Sequence, residues 1–169
     1  MFKKIVLGSL FVMILFSIPG PSQAASLLDR RDFAMGWQFS RPASGLSLKI
    51  PIKADYYIQP IFTFSETQNE TATSGHLALG IRGIYEFPSR LDFQPYTGLS
   101  IGYSKNFKGD SPDSAVVTNS GLGYEGFFGV EYKKYLLRPA LEIGMGGYAK
   151  KGGAYFAGVI WNFSLHYYF

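Results

Sequence analysis

The stretch AYFAGVIWNFSLHYYF, residues 154–169, decides the fold. Every second residue counted back from Phe169 is apolar or aromatic, while the residues between them mix polar and small groups with a few large ones. Side chains alternate between the two faces of a β-strand, so this pattern predicts a strand with one apolar face. Its 16 residues exceed the usual strand length of about five or six. A strand crossing a bilayer at a tilt needs roughly 9–11 residues, so this one is long enough to span it.

The amino terminus predicts export. Lys3 and Lys4 precede an apolar run of 14 residues from Ile5 to Ile18, and small residues follow up to Ala24. A basic head, a short apolar core and a small-residue exit are typical of a secretory signal peptide, which we assign to residues 1–24. The apolar run is shorter than the 18 or so residues that a transmembrane helix requires. Residues 25–32 are interpreted as a short periplasmic lead.

Composition excludes several classes of protein. Removing Lys3 and Lys4 from the 16 basic residues leaves 14 against 12 acidic ones, a net charge of +2 that is too small to favour nucleic acid. The chain contains no cysteine, so disulfides and thiolate metal sites are excluded. Its 15 Phe, 12 Tyr and 20 Gly suit a membrane barrel with aromatic girdles outside and small residues inside. By length, residues 25–169 form one domain.

Seven further segments show the same alternation. Two polar stretches, 67–75 and 108–121, have no pattern and are predicted to be long loops, while residues 133–136 are predicted to be a tight turn. The predicted strands begin near Phe33, Leu46, Tyr56, Leu77, Phe93, Leu122, Leu137 and Ala154.

Eight strands allow the first and the last to pair antiparallel and close the sheet. The two long loops are the third and fifth connections, and the second, fourth and sixth connections are short. Outer-membrane barrels have short periplasmic turns and longer outer loops. The prediction is therefore an all-β fold, an eight-stranded antiparallel up-and-down transmembrane β-barrel over residues 33–169, with both termini in the periplasm.

This pattern resembles the small outer-membrane β-barrel family, the eight-stranded porin-like domains such as the barrels of OmpA, OmpX and OmpW. The resemblance rests on the strand ending in Phe169, on the segment QPYTGLSIGY at residues 94–103, and on the strand count. It covers about residues 33–169 and implies the bacterial outer membrane, but it implies no activity, because fold does not fix function. It also implies that the last strand is an assembly signal, read from Tyr155, Ala157, Val159, Trp161, Phe163, Leu165, Tyr167 and Phe169.

The face predicted to line the barrel interior carries four bases and four acids. An eight-stranded barrel is only wide enough for its own side chains, and isolated buried charges are costly. We therefore expect these charges to pair and fill the lumen, and more specifically we expect Glu131 to pair with Arg138. The alternative is a narrow porin-like channel for small solutes. The eight predicted lumen charges are Lys49, Lys53, Arg82, Glu86, Glu125, Glu131, Arg138 and Glu142.

The function predicted first is that of an integral outer-membrane barrel with a structural or surface-interaction role. A secreted soluble barrel that binds lipid is a further alternative, although such a barrel would carry Lys and Glu along its outer face. Lipid-deacylating barrels use a His-x-Ser motif, and neither His76 nor His166 is followed by that pattern. His166 and Ser164 share the inward face, where polar residues are expected anyway. We therefore predict no enzyme activity and no cofactor, metal or catalytic residue.

The predicted partners follow from the envelope location. They are outer-membrane lipid and lipopolysaccharide, the barrel-assembly machinery during biogenesis, and an unknown surface ligand; nucleic acid is not expected. Lysines at the outer strand ends are placed either to meet lipopolysaccharide phosphates or to be solvated loop residues. These lysines are Lys105, Lys108, Lys150 and Lys151.

Overall fold

A computed structural model describes the backbone of residues 33–69, 72–109, 116–150 and 155–169, and the side chains of all of these except 68–69, 72–73, 116–119, 150 and 155–157. The predicted signal peptide and the periplasmic lead lie outside the described residues. Eight strands occupy almost all of the described chain. Their bounds are β1 Ala34–Phe39, β2 Gly45–Lys53, β3 Tyr56–Asn69, β4 Ala72–Glu86, β5 Phe93–Gly109, β6 Val116–Tyr132, β7 Leu137–Lys150 and β8 Tyr155–Tyr168.

The strands form a closed antiparallel barrel in chain order, as predicted. Closure depends on β1 and β8, which pair from Ala34 opposite Tyr168 to Phe39 opposite Phe163. The Phe169 N–H then donates to the Phe33 carbonyl at 2.9 Å, which adds a backbone bond beyond the last ladder pair. We call the rim where β1 begins and β8 ends the terminal end, and the opposite rim the hairpin end.

The alternation read from the sequence sets the two faces of the wall. Outward positions are exposed and apolar, as shown by Leu99 at 74% and Trp161 at 75%. Inward positions are buried and largely polar, and they include Lys49, Arg82 and Glu142. A soluble protein would bury the first set and expose the second. The barrel therefore has the polarity of a protein whose outer surface meets lipid.

The two polar stretches predicted as long loops are largely strand, so that prediction is wrong. β3 and β4 stay paired up to Asn69 opposite Ala72, which leaves only residues 70–71 of the predicted loop 67–75 between them. β5 and β6 pair up to Lys108 opposite Val116, which shortens the predicted loop 108–121 in the same way. Polar residues carry no alternation signal, yet a neighbouring strand satisfies their backbone groups whatever their side chains are.

One predicted lumen charge, Lys53, lies on the outer face. The β2–β3 register shifts between Pro51 and Lys53, and Lys53 pairs with the exposed Tyr56. Directly paired residues share a face, and the Lys53 side chain is accordingly exposed. A bulge inserts one extra residue and so reverses the faces beyond it. Alternation within β2 alone does not reveal that insertion.

The last hairpins also differ in register from the prediction. Glu131 lies opposite Ala140 rather than opposite Arg138. The connection between β6 and β7 is held by its neighbours instead of forming a tight turn, since Lys133 N–H donates to the Asp92 carbonyl. A slip of two residues keeps every side chain on its original face. Glu131 and Arg138 therefore both remain inward.

The turn between β1 and β2, residues 40–44, folds into the mouth of the barrel at the hairpin end. The Ser40 hydroxyl donates to the Ala43 carbonyl at 2.7 Å, and the Ser44 hydroxyl donates to the Ser40 carbonyl at 2.6 Å. Ala43 is buried in an apolar cluster with Ile61 and Ala78. We call residues 40–44 the plug, because they close this end of the lumen.

Candidate functional site

Seven of the eight predicted lumen charges lie inside the barrel, in two clusters at different heights. The cluster nearer the hairpin end is built around Glu142, and the one nearer the terminal end is built around Lys49. The formal charges in the first cluster are those of Arg82, Glu125 and Glu142, a net of −1. Those in the second are Lys49, Arg138, Glu86 and Glu131, which balance.

Glu142 of β7 is the centre of the first cluster. Its Oε2 accepts from Arg82 Nη2 at 2.7 Å, from Asn162 Nδ2 at 3.1 Å and from Gln38 Nε2 at 3.3 Å. Its Oε1 accepts from the Tyr96 hydroxyl at 2.7 Å. Charge-assisted hydrogen bonds are stronger than neutral ones, and four of them from four strands tie β1, β4, β5 and β8 to β7.

Arg82 makes two further contacts besides its ion pair with Glu142. Its Nη1 donates to Gln59 Oε1 at 3.2 Å, and its guanidinium lies 3.8 Å from the centre of the Phe127 ring. Stacking on an aromatic face adds a cation–π interaction to the ion pair. The side chains of Arg82 and Glu142 are almost completely buried, so the pair is shielded from water.

Lys49 of β2 is the centre of the second cluster. Its Nζ lies 2.6 Å from Glu86 Oε1 and 3.2 Å from Glu131 Oε2, and it donates to the Tyr168 hydroxyl at 2.7 Å. The Tyr168 hydroxyl in turn donates to Glu131 at 2.8 Å. Arg138 completes the group at the rim, with Nη1 3.7 Å from Glu131 Oε1. The predicted pairing of Glu131 with Arg138 is thus present in contact, although these two residues are not opposite in the ladder.

A neutral layer lies between the two clusters and is hydrogen-bonded to the first through Gln59, which accepts from Arg82. His166 Nε2 lies 2.7 Å from the Ser47 hydroxyl and 3.1 Å from Gln59 Nε2. Gln59 also donates to Gln38 Oε1 at 3.2 Å. His166 therefore pairs with Ser47 of β2, not with Ser164 on its own strand. Both side chains are buried.

A small gap remains among these side chains. It is lined by Lys49, Tyr96, Glu131, Glu142 and His166 among other described residues, and it has no room for a water molecule. An eight-stranded barrel is expected to fill its own interior in this way. Within the described part of the chain, the lumen is a hydrogen-bonded polar core.

Glu125 lies on the inner wall of β6, nearer the hairpin end than Glu142. Its Oε1 accepts from Asn162 Nδ2 at 2.7 Å. A Cβ at Gly144 of β7 would overlap that same oxygen, so glycine at this position gives the carboxylate its space. Asn162 on β8 reaches past β7 because no side chain stands between them.

The predicted assembly strand is confirmed as the closing strand of the barrel, while its role as a signal stays a prediction. Val159, Trp161, Phe163, Tyr167 and Phe169 are exposed on the outer face. Leu165 is half-buried on the same face. The backbone of Tyr155 and Ala157 belongs to β8, but their side chains lie outside the described residues.

Sequence reasoning singled out the charges but not the neutral groups that bind them. Gln38, Gln59, Tyr96, Asn162 and Tyr168 supply most of the hydrogen bonds to the lumen charges. All five occupy inward positions by alternation. A polar or hydroxyl group on the inward face was therefore the feature that could have identified them as partners of the charges. Which of them meet across the lumen depends on strand register.

The plug carried no sequence signal beyond that of a turn.

Among the described residues, no three His, Asp or Glu side chains are grouped as a metal site would require. No helix in the described part of the chain is long and apolar enough to cross a bilayer.

Comparisons with known proteins give similar solved structures but no matching family model or curated protein. A solved structure similar to it is the crystal structure of Neisserial surface protein A, with a TM-score of 0.42 and 16% sequence identity. The alignment covers 80% of this chain and 89% of that chain. The function of this chain is therefore argued from its own residues.

Proposed function

We propose that this protein is an integral outer-membrane β-barrel with a structural or surface-interaction role and a lumen closed by its own side chains. The observation that carries the proposal is the reversed polarity of a closed barrel. Seven charged side chains point inside, and most of the large apolar side chains are exposed outside. In lipid, a closed barrel is the one sheet arrangement that leaves no backbone edge unsatisfied.

The apolar belt supports insertion into a bilayer. Outward aliphatic residues such as Leu141, Ile143 and Met145 follow one another along β7, and Met145 is 70% exposed. Burying one such side chain away from water is worth about 1.5–3 kcal/mol. If the barrel were soluble, these side chains would stay in water on every strand, and this stabilisation would be lost. This argues against the soluble lipid-binding barrel.

Aromatic side chains mark the edge of the belt at the terminal end. Tyr56 and Tyr85 have ring centres 5.0 Å apart, and Phe93 and Tyr132 have ring centres 5.1 Å apart. The closing strand adds Tyr167 packed on Phe169. Aromatic girdles at the interfaces are typical of membrane barrels. These ring contacts support one aromatic girdle at this rim.

Strand length indicates where the surface-interaction role resides. β5 and β6 have 17 residues each, whereas β2 has nine. At about 3.3 Å per residue and a tilt of about 40°, nine residues rise about 23 Å, close to the roughly 25 Å apolar band. Seventeen residues rise about 43 Å by the same reckoning. The β3–β4 and β5–β6 hairpins thus extend past the band and offer a surface to a partner.

The location and partners proposed with this role are those expected of an exported barrel. The signal peptide directs the chain through the inner membrane, the assembly machinery reads the closing strand, and outer-membrane lipid with lipopolysaccharide surrounds the belt. The exposed ends of the long hairpins then face the outside of the cell. The identity of a surface ligand is left to binding experiments on those hairpins.

Membrane fractionation with heat-modifiable gel migration tests the proposal. The full chain should be processed, should co-fractionate with outer membranes and should resist extraction by carbonate. Unheated samples should migrate differently from boiled ones, because a folded barrel resists unfolding by detergent. Recovery in a soluble periplasmic or secreted fraction would refute the membrane assignment.

Planar-bilayer recording separates the closed barrel from the channel alternative. The reconstituted, folded protein should leave the bilayer at background conductance, because the Glu142 and Lys49 clusters fill the lumen. The matched control is the same preparation unfolded by boiling. Reproducible stepwise openings of the folded protein alone would favour the narrow channel.

A further inference from the structure

The plug fits against a row of three glycines on the inner wall of β4, β5 and β6. These are Gly80, Gly102 and Gly123, which lie side by side because Gly80 pairs with Gly102 and Gly102 pairs with Gly123. We call them the glycine seat. No side chain projects from the seat into the mouth, so the backbone of three neighbouring strands forms a shallow, smooth wall there.

Each glycine of the seat is in contact with the tip of the plug. A Cβ at Gly80 would lie 2.7 Å from the Ala43 Cβ, and one at Gly102 would lie 3.0 Å from the Pro42 Cγ. A Cβ at Gly123 would overlap the Pro42 Cβ. That Cβ would also lie 2.8 Å from Tyr148 Cδ2, so even the smallest side chain at Gly123 would push away both the tip and the edge of the Tyr148 ring. Pro42 and Ala43 are both buried, as a seated tip requires.

The plug is also held by its own hydrogen bonds. Ser40 N–H donates to the Ser44 hydroxyl at 3.0 Å, in addition to the two hydroxyl-to-carbonyl bonds across the turn. The Thr63 hydroxyl donates to the Ser44 carbonyl and ties the turn to β3. Gly45 leaves the turn with φ of +146°, a conformation that residues with a Cβ rarely adopt. The sequence at 40–45 is thus matched to an inward-folded turn.

The residues directly beneath the seat are polar. Two residues further along each strand toward the terminal end, the inward face carries a single row of paired residues: Arg82 pairs with Ser100, and Ser100 pairs with Glu125. All three are buried to at least 95%. The described residues offer no hydrogen-bond partner to Arg82 Nε, Ser100 Oγ or Glu125 Oε2. Among the described residues, the plug and the Tyr148 side chain, whose hydroxyl bonds to Ser104, lie between this row and the mouth.

We propose that the glycine seat is an intramolecular binding site for the Pro42–Ala43 tip, and that the seated tip seals the polar row of the lumen from the exterior. The proposal rests on the proposed function, since it assigns a boundary to the closed lumen of a membrane barrel. The lumen would then be accessible to water from the terminal end and sealed at the hairpin end. At the terminal end Glu86 and Arg138 are partly exposed, at 15% and 18%, whereas the hairpin end is closed.

Single-cysteine labelling tests the seal, because the chain has no cysteine of its own. Ser100→Cys puts a thiol directly beneath the seat with little change in size. The folded protein in detergent is exposed to a charged methanethiosulfonate reagent, and the labelling rate is measured by mass. Adding Gly123→Leu to this variant should raise the rate at least tenfold, because the tip can no longer be seated.

Gly83→Leu is the matched control. Gly83 lies on the outer face of β4, and a Cβ there would have no heavy atom within 4 Å. The same substitution at this position should leave the labelling rate of Ser100→Cys unchanged. Comparing rates at one thiol cancels the intrinsic reactivity of a buried sulfur, which depends on its surroundings.

A gentler variant covers the case in which Gly123→Leu does not fold. Ser40→Ala combined with Ser44→Ala removes the hydrogen bonds of the two serine hydroxyls without touching the wall, and it should also raise the labelling rate. Rapid labelling of Ser100→Cys alone, at the rate of a Lys134→Cys surface control, would overturn the seal. So would slow labelling in both plug variants when each is folded.

Heat-modifiable migration of every variant keeps this test separate from the proposed function. A variant that migrates as a folded barrel but labels against expectation refutes the plug alone. Loss of heat modification in the Ser100→Cys protein, together with its recovery in a soluble fraction, would refute the membrane barrel instead.

Discussion

Replacing Glu142 with Gln removes one charge from the centre of the lumen while keeping the size of the side chain. All four partners of Glu142 donate hydrogen bonds to it, and the amide of Gln keeps only one acceptor oxygen, so the Tyr96 hydroxyl would have to turn from donor to acceptor. Arg82 would remain buried without its counter-charge. Breaking a buried ion pair by removing one partner costs about 3–5 kcal/mol. Glu125 lies just across Asn162 and compensates part of the loss, so we expect a decrease of about 3 kcal/mol in the free energy of unfolding.

Urea titration of the folded barrel in lipid vesicles measures this change. The two tryptophans, Trp37 and Trp161, lie on the outer face and are 46% and 75% exposed, so their fluorescence reports transfer from lipid to water. The matched control is Glu86→Gln, the same chemical change at the rim. Lys49 keeps Glu131 and Tyr168 in that variant, and the loss should be about 1 kcal/mol or less.

The double variant Arg82→Met with Glu142→Gln tests whether the loss of stability comes from an unpaired buried charge. Removing both charges should recover part of the stability, because no uncompensated charge remains in the lumen. Equal effects of Glu142→Gln and Glu86→Gln would refute the assignment of Glu142 as the centre of a buried network. The same conclusion would follow if Glu142→Gln stayed within about 0.5 kcal/mol of the wild type.

Three further predictions concern the belt, the closing strand and the rim. Leu99→Arg should destabilise the barrel by about 2–4 kcal/mol, the cost of a base at the lipid-facing midplane, and a neutral result in the urea titration would invert the face assignment. Deleting Phe169, which bonds to the Phe33 carbonyl, should lower the amount of protein in outer-membrane fractions, and undiminished levels would contradict its role in assembly. Glu131 and Arg138 should couple by about 1 kcal/mol in a double-mutant cycle, since their 3.7 Å contact is partly exposed; zero coupling would show that the contact does not hold in solution.

Much of the fold is contained in local sequence. The period-two alternation of residues 154–169 and of the other segments gave the strand count and the faces of nearly every side chain, and the even count with the connection lengths gave the up-and-down order. Alternation is a local property, because each side chain flips relative to its immediate neighbours. The faces of Leu99, Arg82 and Glu142 followed from it without knowledge of any pairing.

What local alternation cannot supply is the position of one strand against the next. Glu131 lies opposite Ala140 because of how the connection at 133–136 is held by neighbouring segments, and the predicted and the observed register satisfy the same alternation. The bulge that turns Lys53 outward is likewise a property of two strands together. The polar ends of β3–β6 are strands because a neighbour supplies backbone hydrogen bonds there.

The sequence by itself determined that charges would lie inside and apolar groups outside, because that division depends only on which side of its own strand a residue stands. Only the tertiary structure decided which charges meet. Glu142 collects donors from four other strands, and the plug finds three glycines that are 21 or more residues apart in the chain yet adjacent in the wall. Those encounters are set by register and closure, since a network across a lumen exists only when every strand around it is in place.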